Sequence, residues 1–143
     1  MIGQRKKKEL REIFNLQKDF CWNDENGPKI RRMYQVRNII HSVKGISGEW
    51  AECGTFKGSM ALLMAEYALR YNLLDDDQNI HLFDSFEGLA KPSIEDEGTS
   101  MVEGDYTGSL DEVKNNLASY DFIKYYKGWI PDRFNEVEDK LFS

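Results

Sequence analysis

The sequence predicts an α/β fold, a parallel sheet with helices on its faces, and three observations predict it. Short strand-like runs alternate with longer apolar segments of helical length. Two of those runs stop at loops carrying Gly54 and Asp84. The order strand, helix, strand, helix, strand lays the strands side by side and parallel under the right-handed crossover rule.

In chain order, Leu10, Ile13, Phe14 and Leu16 stand among charges at near-helical spacing and predict an amphipathic helix to about Phe20. After a break from Asn23 to Pro28, the residues Ile30, Met33, Tyr34, Val36, Arg37, Ile39 and Ile40 predict a second helix that ends near Gly45 and Gly48. Glu49 to Cys53 reads as a strand halted by Gly54, and Gly58-Ser59 opens an apolar segment from Met60 to Leu74 that is too long for a strand. Asp75-Asp76-Asp77 is expected to end that helix. Asn79 to Phe83 is the second strand, stopping at Asp84-Ser85, and a long polar loop runs from Glu87 to about Gly108. Ser109 can cap a helix containing Leu110, Val113 and Leu117, with Glu112 placed as in a capping box. Phe122 to Tyr126 is the third strand, and Pro131 stands where the first turn of a further helix would tolerate it. Residues 1–45 thus form an N-terminal helical lead-in and 46–143 a ligand-binding half of a Rossmann-like, doubly wound sheet, cut short after about three strands.

The 143 residues suit about one domain on a prior of roughly 100–200 residues each. With 41% hydrophobic and 31% charged residues the composition is globular, not disordered, fibrous or disulfide-knotted. No apolar run approaches the roughly 18 residues of a membrane span, and no apolar signal segment follows the basic N-terminus, which predicts a soluble cytoplasmic protein. A net charge of −6 argues against a diffuse grip on nucleic acid, so the basic cluster from Arg5 to Arg11 reads as a solvated helix face. Cys21 and Cys53 lack the spacing of a zinc site or a disulfide framework.

Three loops at the carboxyl ends of the strands converge on the crevice where such sheets bind ligands: Glu52 to Ser59, Asp84 to Glu87, and Gly128 to Asp132. The first reads Glu-x-Gly-x-x-x-Gly. Gly54 allows a tight turn and close approach of a ligand, Gly58 allows the next helix to pack close to the strand, and the N–H groups near Ser59 can bond an anion. Asp84, about 30 residues on, can accept hydrogen bonds from ribose hydroxyls in this topology. A structural turn at the glycines and a helix cap at Asp84 are the bland alternatives. A dinucleotide would favour G-x-G-x-x-G, which is absent, so a nucleoside with an amino-acid tail fits better. A nicotinamide oxidoreductase is the weaker reading for that reason.

The stretches GEWAECGTFKGSMALLMAEY, HLFDSFEGL and YYKGWIPDRF resemble the macrocin O-methyltransferase (TylF-type) family of class I S-adenosylmethionine-dependent methyltransferases, over roughly Arg31 to Phe134. The resemblance implies S-adenosylmethionine as cofactor, with Glu52 and Gly54 lining its methionine end, Ser59 nearby, and Thr55, Phe56 and Gly58 also among the cofactor-binding residues. It implies that Asp84 holds the ribose, that Ser85 and Phe86 flank it, and that Gly128 and Trp129 border the adenine. Trp129 reads equally as a core aromatic. Gly104 to Gly108 resembles a segment before a helix beside the active site. The family transfers a methyl group to a hydroxyl, commonly of a sugar or phenolic natural product, and usually needs a divalent metal such as Mg2+. Holding the oxygen in line with the methyl group is the main gain, and a metal can lower the hydroxyl's pKa.

The family's metal acids follow the next strand, in an Asp-x-Asp-Leu-Tyr-like segment and a later Asp-Asp pair, and Leu141-Phe142-Ser143 lies just before that strand is due. No metal ligands are therefore expected in this chain, no catalytic base is assigned, and the chain alone is expected to be inactive. Glu95-Asp96-Glu97 reads as a solvated loop, His41 and His81 as packing or surface residues, and Cys53 as no nucleophile. The partner is a small molecule, with neither nucleic acid nor membrane. The alternative is a non-catalytic, self-associating Rossmann-like module, since a half-sheet leaves an open edge and an apolar face.

Overall fold

The computed structural model describes residues 4–17, 28–98 and 100–143. The expected extension of the first helix to Phe20, the break from Asn23 to Gly27, and Cys21 lie outside the described residues. Among the described residues four α-helices, α1 (Gln4–Leu16), α2 (Pro28–Ser42), α3 (Ser59–Tyr71) and α4 (Leu110–Asn116), accompany three strands, β1 (Trp50–Cys53), β2 (Ile80–Asp84) and β3 (Ile123–Lys127). The strands are parallel in the order β1-β2-β3, with Trp50 opposite Ile80 and Ile80 opposite Ile123.

Strand alternation splits the sheet into two environments. Trp50, Ile80, Leu82 and Ile123 pack with α3 and α4, and Leu10, Ile13, Phe14, Met33 and Ile40 from α1 and α2 join the same core. On the opposite face Phe83 stacks on Tyr126 at 4.6 Å and meets the ring of Phe134 edge-on at 5.2 Å. His81, which is 1% exposed, lies there between Glu49 and Tyr126, with each ring nitrogen 2.8 Å from its partner. It is a packed, hydrogen-bonded residue and not a surface one.

Helix α1 buries Leu10, Ile13 and Phe14 at helical spacing, and Gln17 is buried just past its end. Its Glu9 accepts hydrogen bonds from the hydroxyls of Tyr67, at 2.9 Å, and Tyr71, and lies 3.7 Å from Arg37 Nε. Burial opposes the Glu9 charge, but the two phenols, Arg37 and Arg70 outweigh it and hold the carboxyl below its usual range. Glu9→Ala removes this acceptor and leaves the largely buried Arg37 without its carboxylate. A loss of about 2–4 kcal/mol is expected in urea unfolding, and wild-type stability would show that the cluster adds nothing.

Four elements differ from expectation. Helix α3 stops at Tyr71 rather than at the aspartates, because Asn72 takes a left-handed conformation (φ 49°) and the Leu73 N–H returns to the Ala68 carbonyl at 3.0 Å. Ser109 does cap α4, accepting from the Glu112 N–H at 3.1 Å, whereas the Glu112 carboxylate pairs with Lys57 at 2.9 Å. Pro131 opens no α-helix: Ile130-Pro131 is cis, and one 3-10 turn, Phe134–Val137, follows. That stretch has only Phe134 and Val137 to lay on the sheet, one turn's worth of apolar contact. Finally, Phe142 already forms a parallel bridge with Glu49, with Glu49 N–H donating to the Leu141 carbonyl at 2.7 Å and Ser143 N–H to the Glu49 carbonyl at 3.1 Å. The last residues therefore lie along the outer edge of β1.

Candidate functional site

A cavity of about 700 Å³ opens at the carboxyl ends of the three strands. Parallel strands deliver their following loops to the same end of the sheet, so residues far apart in sequence meet there. Glu52, Gly54, Thr55, Phe56 and Ser59 border it after β1, Asp84 and Ser85 after β2, and Gly128 and Trp129 after β3. These are nine of the eleven residues the sequence singled out.

The other two have different duties. Gly58, the left-handed cap of α3 (φ 84°), fits against Leu117 and Val113, so its missing side chain admits α4 rather than the strand. Phe86, 4% exposed, sits in the core. Trp129 is 53% exposed, which removes the core-aromatic alternative.

Asp84 organises the floor. Its Oδ2 accepts from the N–H groups of Thr55 at 2.6 Å and Phe56 at 3.0 Å, and its Oδ1 from the N–H of Phe86 at 2.8 Å. Three of roughly four acceptor positions on the carboxylate are thus engaged by backbone. Phe56 and Phe86 both have left-handed backbones (φ 52° and 55°), an uncommon state for an aromatic residue. Asp84 bonds the N–H of each, so one side chain holds both loops in shape.

Glu52 is the other acid. Its Oε2 is buried without a hydrogen-bond partner, as is Thr55 Oγ1. Burial, reinforced by the nearby charge of Asp84, pushes the Glu52 carboxyl up to about 8. Partial burial and Glu52 also raise the thiol of Cys53, the opposite of what activates a nucleophile. Ser59 donates to Gln17, which joins the end of α1 to the first turn of α3 beside the cavity.

Sequence reasoning missed part of the wall. Lys29 and Arg32 reach the cavity from α2, and Met60, Gly88, Leu89, Ala90, Tyr106 and Ile130 supply most of its remaining surface. Lys29 is 8% exposed and lies over the Phe14 ring, a placement that only tertiary packing creates. The long polar loop folds back on itself: Leu89 N–H donates to the Asp105 carbonyl at 2.8 Å and Gly104 N–H to the Leu89 carbonyl at 2.9 Å. Tyr106 meets Phe56 edge-on at 5.7 Å. Gly88 (φ 85°) makes this fold-back possible, since a Cβ there would come within 2.7 Å of the Gly104 carbonyl oxygen. Gly88→Ala should displace this wall, weakening ligand binding in the cavity by tenfold or more and costing about 2 kcal/mol in thermal unfolding; unchanged binding would mean that the fold-back does not shape the site.

Among the described residues, no group of three or more His, Cys, Asp or Glu side chains converges as a metal site. Glu95 and Asp96 stay exposed, and Asp96 instead accepts from the Ser93 N–H at 2.7 Å. The described residues thus offer a magnesium ion no such set of ligands.

A glycine loop and an acid on the next strand thus border one cavity. A family model for macrocin-O-methyltransferase (TylF) matches residues 28–141. The chain belongs to this family. Two solved O-methyltransferase and methyltransferase structures share the fold of this TylF-family chain. NovP, an O-methyltransferase, is 23% identical with a TM-score of 0.59, covering 79% of this chain and 50% of its own. CalS11, a calicheamicin methyltransferase, is 13% identical with a TM-score of 0.63, covering 99% of this chain and 66% of its own. The chain therefore spans half the length of one relative and about two-thirds of the other. No curated protein sequence matches. The parallel sheet with flanking helices is of the class I methyltransferase type.

Proposed function

We propose that this TylF-family chain binds S-adenosylmethionine and serves a cytoplasmic O-methyltransferase acting on a hydroxyl of a sugar or other small natural product. The observation that carries this reading is the convergence of Glu52, Asp84 and the Gly128-Trp129 loop on one cavity. The cofactor, when bound, supplies an electrophilic methyl group on a sulfonium. Gly54 faces open space, where a built Cβ would meet nothing within 4 Å, and lets a ligand lie against the backbone. Asp84 keeps an acceptor position for a ribose hydroxyl, and Glu52 offers an acid to the amino-acid end. Trp129 presents an exposed ring to the adenine. Leu89, Ala90, Tyr106 and Ile130 form an apolar wall suited to excluding water beside the acceptor.

Isothermal titration with S-adenosylhomocysteine tests the reading. Binding by the folded chain, with none for a nicotinamide dinucleotide, is the expected result. A chain that is folded by circular dichroism yet binds no S-adenosylhomocysteine overturns it. A non-catalytic, self-associating role is the second reading, favoured by the exposure of Ala51 and Cys53 on the face of β1 away from the helices. A concentration-independent monomer in sedimentation would remove it.

A further inference from the structure

Resting on the cofactor reading above, a second inference concerns what Glu52 does in the empty and filled site. Its Oε2 is enclosed, has no hydrogen-bond partner, and belongs to a residue on the wall of a cavity large enough for a ligand. Asp84, at the end of the neighbouring strand, also borders the cavity and already accepts from the N–H groups of Thr55, Phe56 and Phe86. Two acids thus share one site with unequal support. Asp84 is hydrogen-bonded by three N–H groups, whereas the enclosed oxygen of Glu52 has none.

We propose that Glu52 carries a proton while the cavity is empty and releases it to solvent when a ligand's ammonium group binds against it. Glu52 then selects ligands that bear an amino-acid tail and couples their capture to loss of one proton. The ammonium keeps its own protons, and the ion pair formed replaces the O–H bond given up. The elevated affinity of the empty-site carboxyl for its proton follows from enclosure first and from the Asp84 charge second. The other titratable or charged groups at the cavity are Lys29 and Arg32 from α2 and Tyr106 from the fold-back loop, with Cys53 next along β1. Asp84 adds a like charge that acts on Glu52.

A neutral carboxylic acid can also donate a hydrogen bond to a ligand carboxylate, and proton counting separates the two cases. Calorimetry of the 143-residue chain with S-adenosylhomocysteine, in buffers of different ionisation enthalpy, reads the protons exchanged. Near one proton should be released per ligand at about pH 6.5–7, falling below half a proton by about pH 8.5, while affinity rises up to about tenfold per pH unit across the lower range. The nucleoside 5′-methylthioadenosine, which lacks the ammonium group, should bind without release, an arm that needs no variant. Glu52→Gln should bind S-adenosylhomocysteine more weakly and release nothing. Binding without proton release, proton uptake, or release undiminished in Glu52→Gln each overturns the inference while leaving the cofactor reading intact. Absence of S-adenosylhomocysteine binding throughout overturns both.

Discussion

Asp84→Ala is expected to unmake two loops at once, with loss of detectable S-adenosylhomocysteine binding and a fall in stability of roughly 3–6 kcal/mol. The magnitude follows from what the carboxylate holds: the N–H groups of Thr55, Phe56 and Phe86 all donate to it. Thr55 and Phe86 are each 4% exposed, so water cannot readily replace the lost acceptor. Each buried donor left unpaired costs about 1–3 kcal/mol, and a domain of this size has only about 5–15 kcal/mol in total. Phe56 and Phe86 would also be free to leave their left-handed backbone states, which the alanine no longer enforces. Asn at this position keeps the shape but turns an N–H₂ group toward one set of donors, so Asp84→Asn should restore only part of the loss. Urea unfolding together with titration at low temperature, where the variant remains folded, separates stability from binding. An alanine variant with wild-type values in both would show that Asp84 holds neither loop nor ligand.

The unliganded chain should become less stable as pH rises from about 6 to 8.5, by up to roughly 2–3 kcal/mol, because of Glu52. Its carboxyl ionises near 4.5 in the unfolded chain and near 8 in the folded one. A raised acid favours the protonated folded state, so this contribution is greatest below the unfolded value and is lost as pH climbs through the folded one. Glu9 and Glu49 are shifted the other way, in Glu49 because hydrogen bonds from Asn79 and His81 and the His81 charge outweigh burial. Their contribution disappears only as the solution turns acid, below the range in question. Urea unfolding at several pH values should show the decline in the wild type and a flat profile in Glu52→Gln. S-adenosylhomocysteine should offset the decline at the alkaline end. A wild-type profile as flat as that of the variant would mean that Glu52 titrates normally.

The sequence made the three strands, their order and their loops readable because each carries a local signal: an apolar run, a change of period and a stop at Gly54, Asp84 or Gly128. Nine of the eleven proposed site residues border the cavity for the same reason, since topology alone brings strand ends together. What could not be read depends on contacts distant in sequence. Lys29 and Arg32 look like solvent-facing charges on a basic helix, and only the docking of α2 against α1 and α3 carries them to the cavity. Phe86 follows Asp84 at two residues' distance and reads as a ligand neighbour, yet its ring turns into the core while its N–H serves Asp84. Pro131 satisfied a helix-start rule, but the chain beyond it had too few apolar residues to make more than one turn.

The short bridge between Phe142 and Glu49 changes the meaning of the sheet's edge. From β1 to β3 each new strand is added on one side. The return of the chain to the far side of β1 reverses that direction of winding. Where successive connections leave in opposite directions, their loops part above the sheet and leave a crevice that no side chain needs to carve. Glu52 stands at the carboxyl end of the strand at this topological switch point. The acid whose enclosed oxygen has no hydrogen-bond partner is thus set where the winding of the chain itself opens the protein.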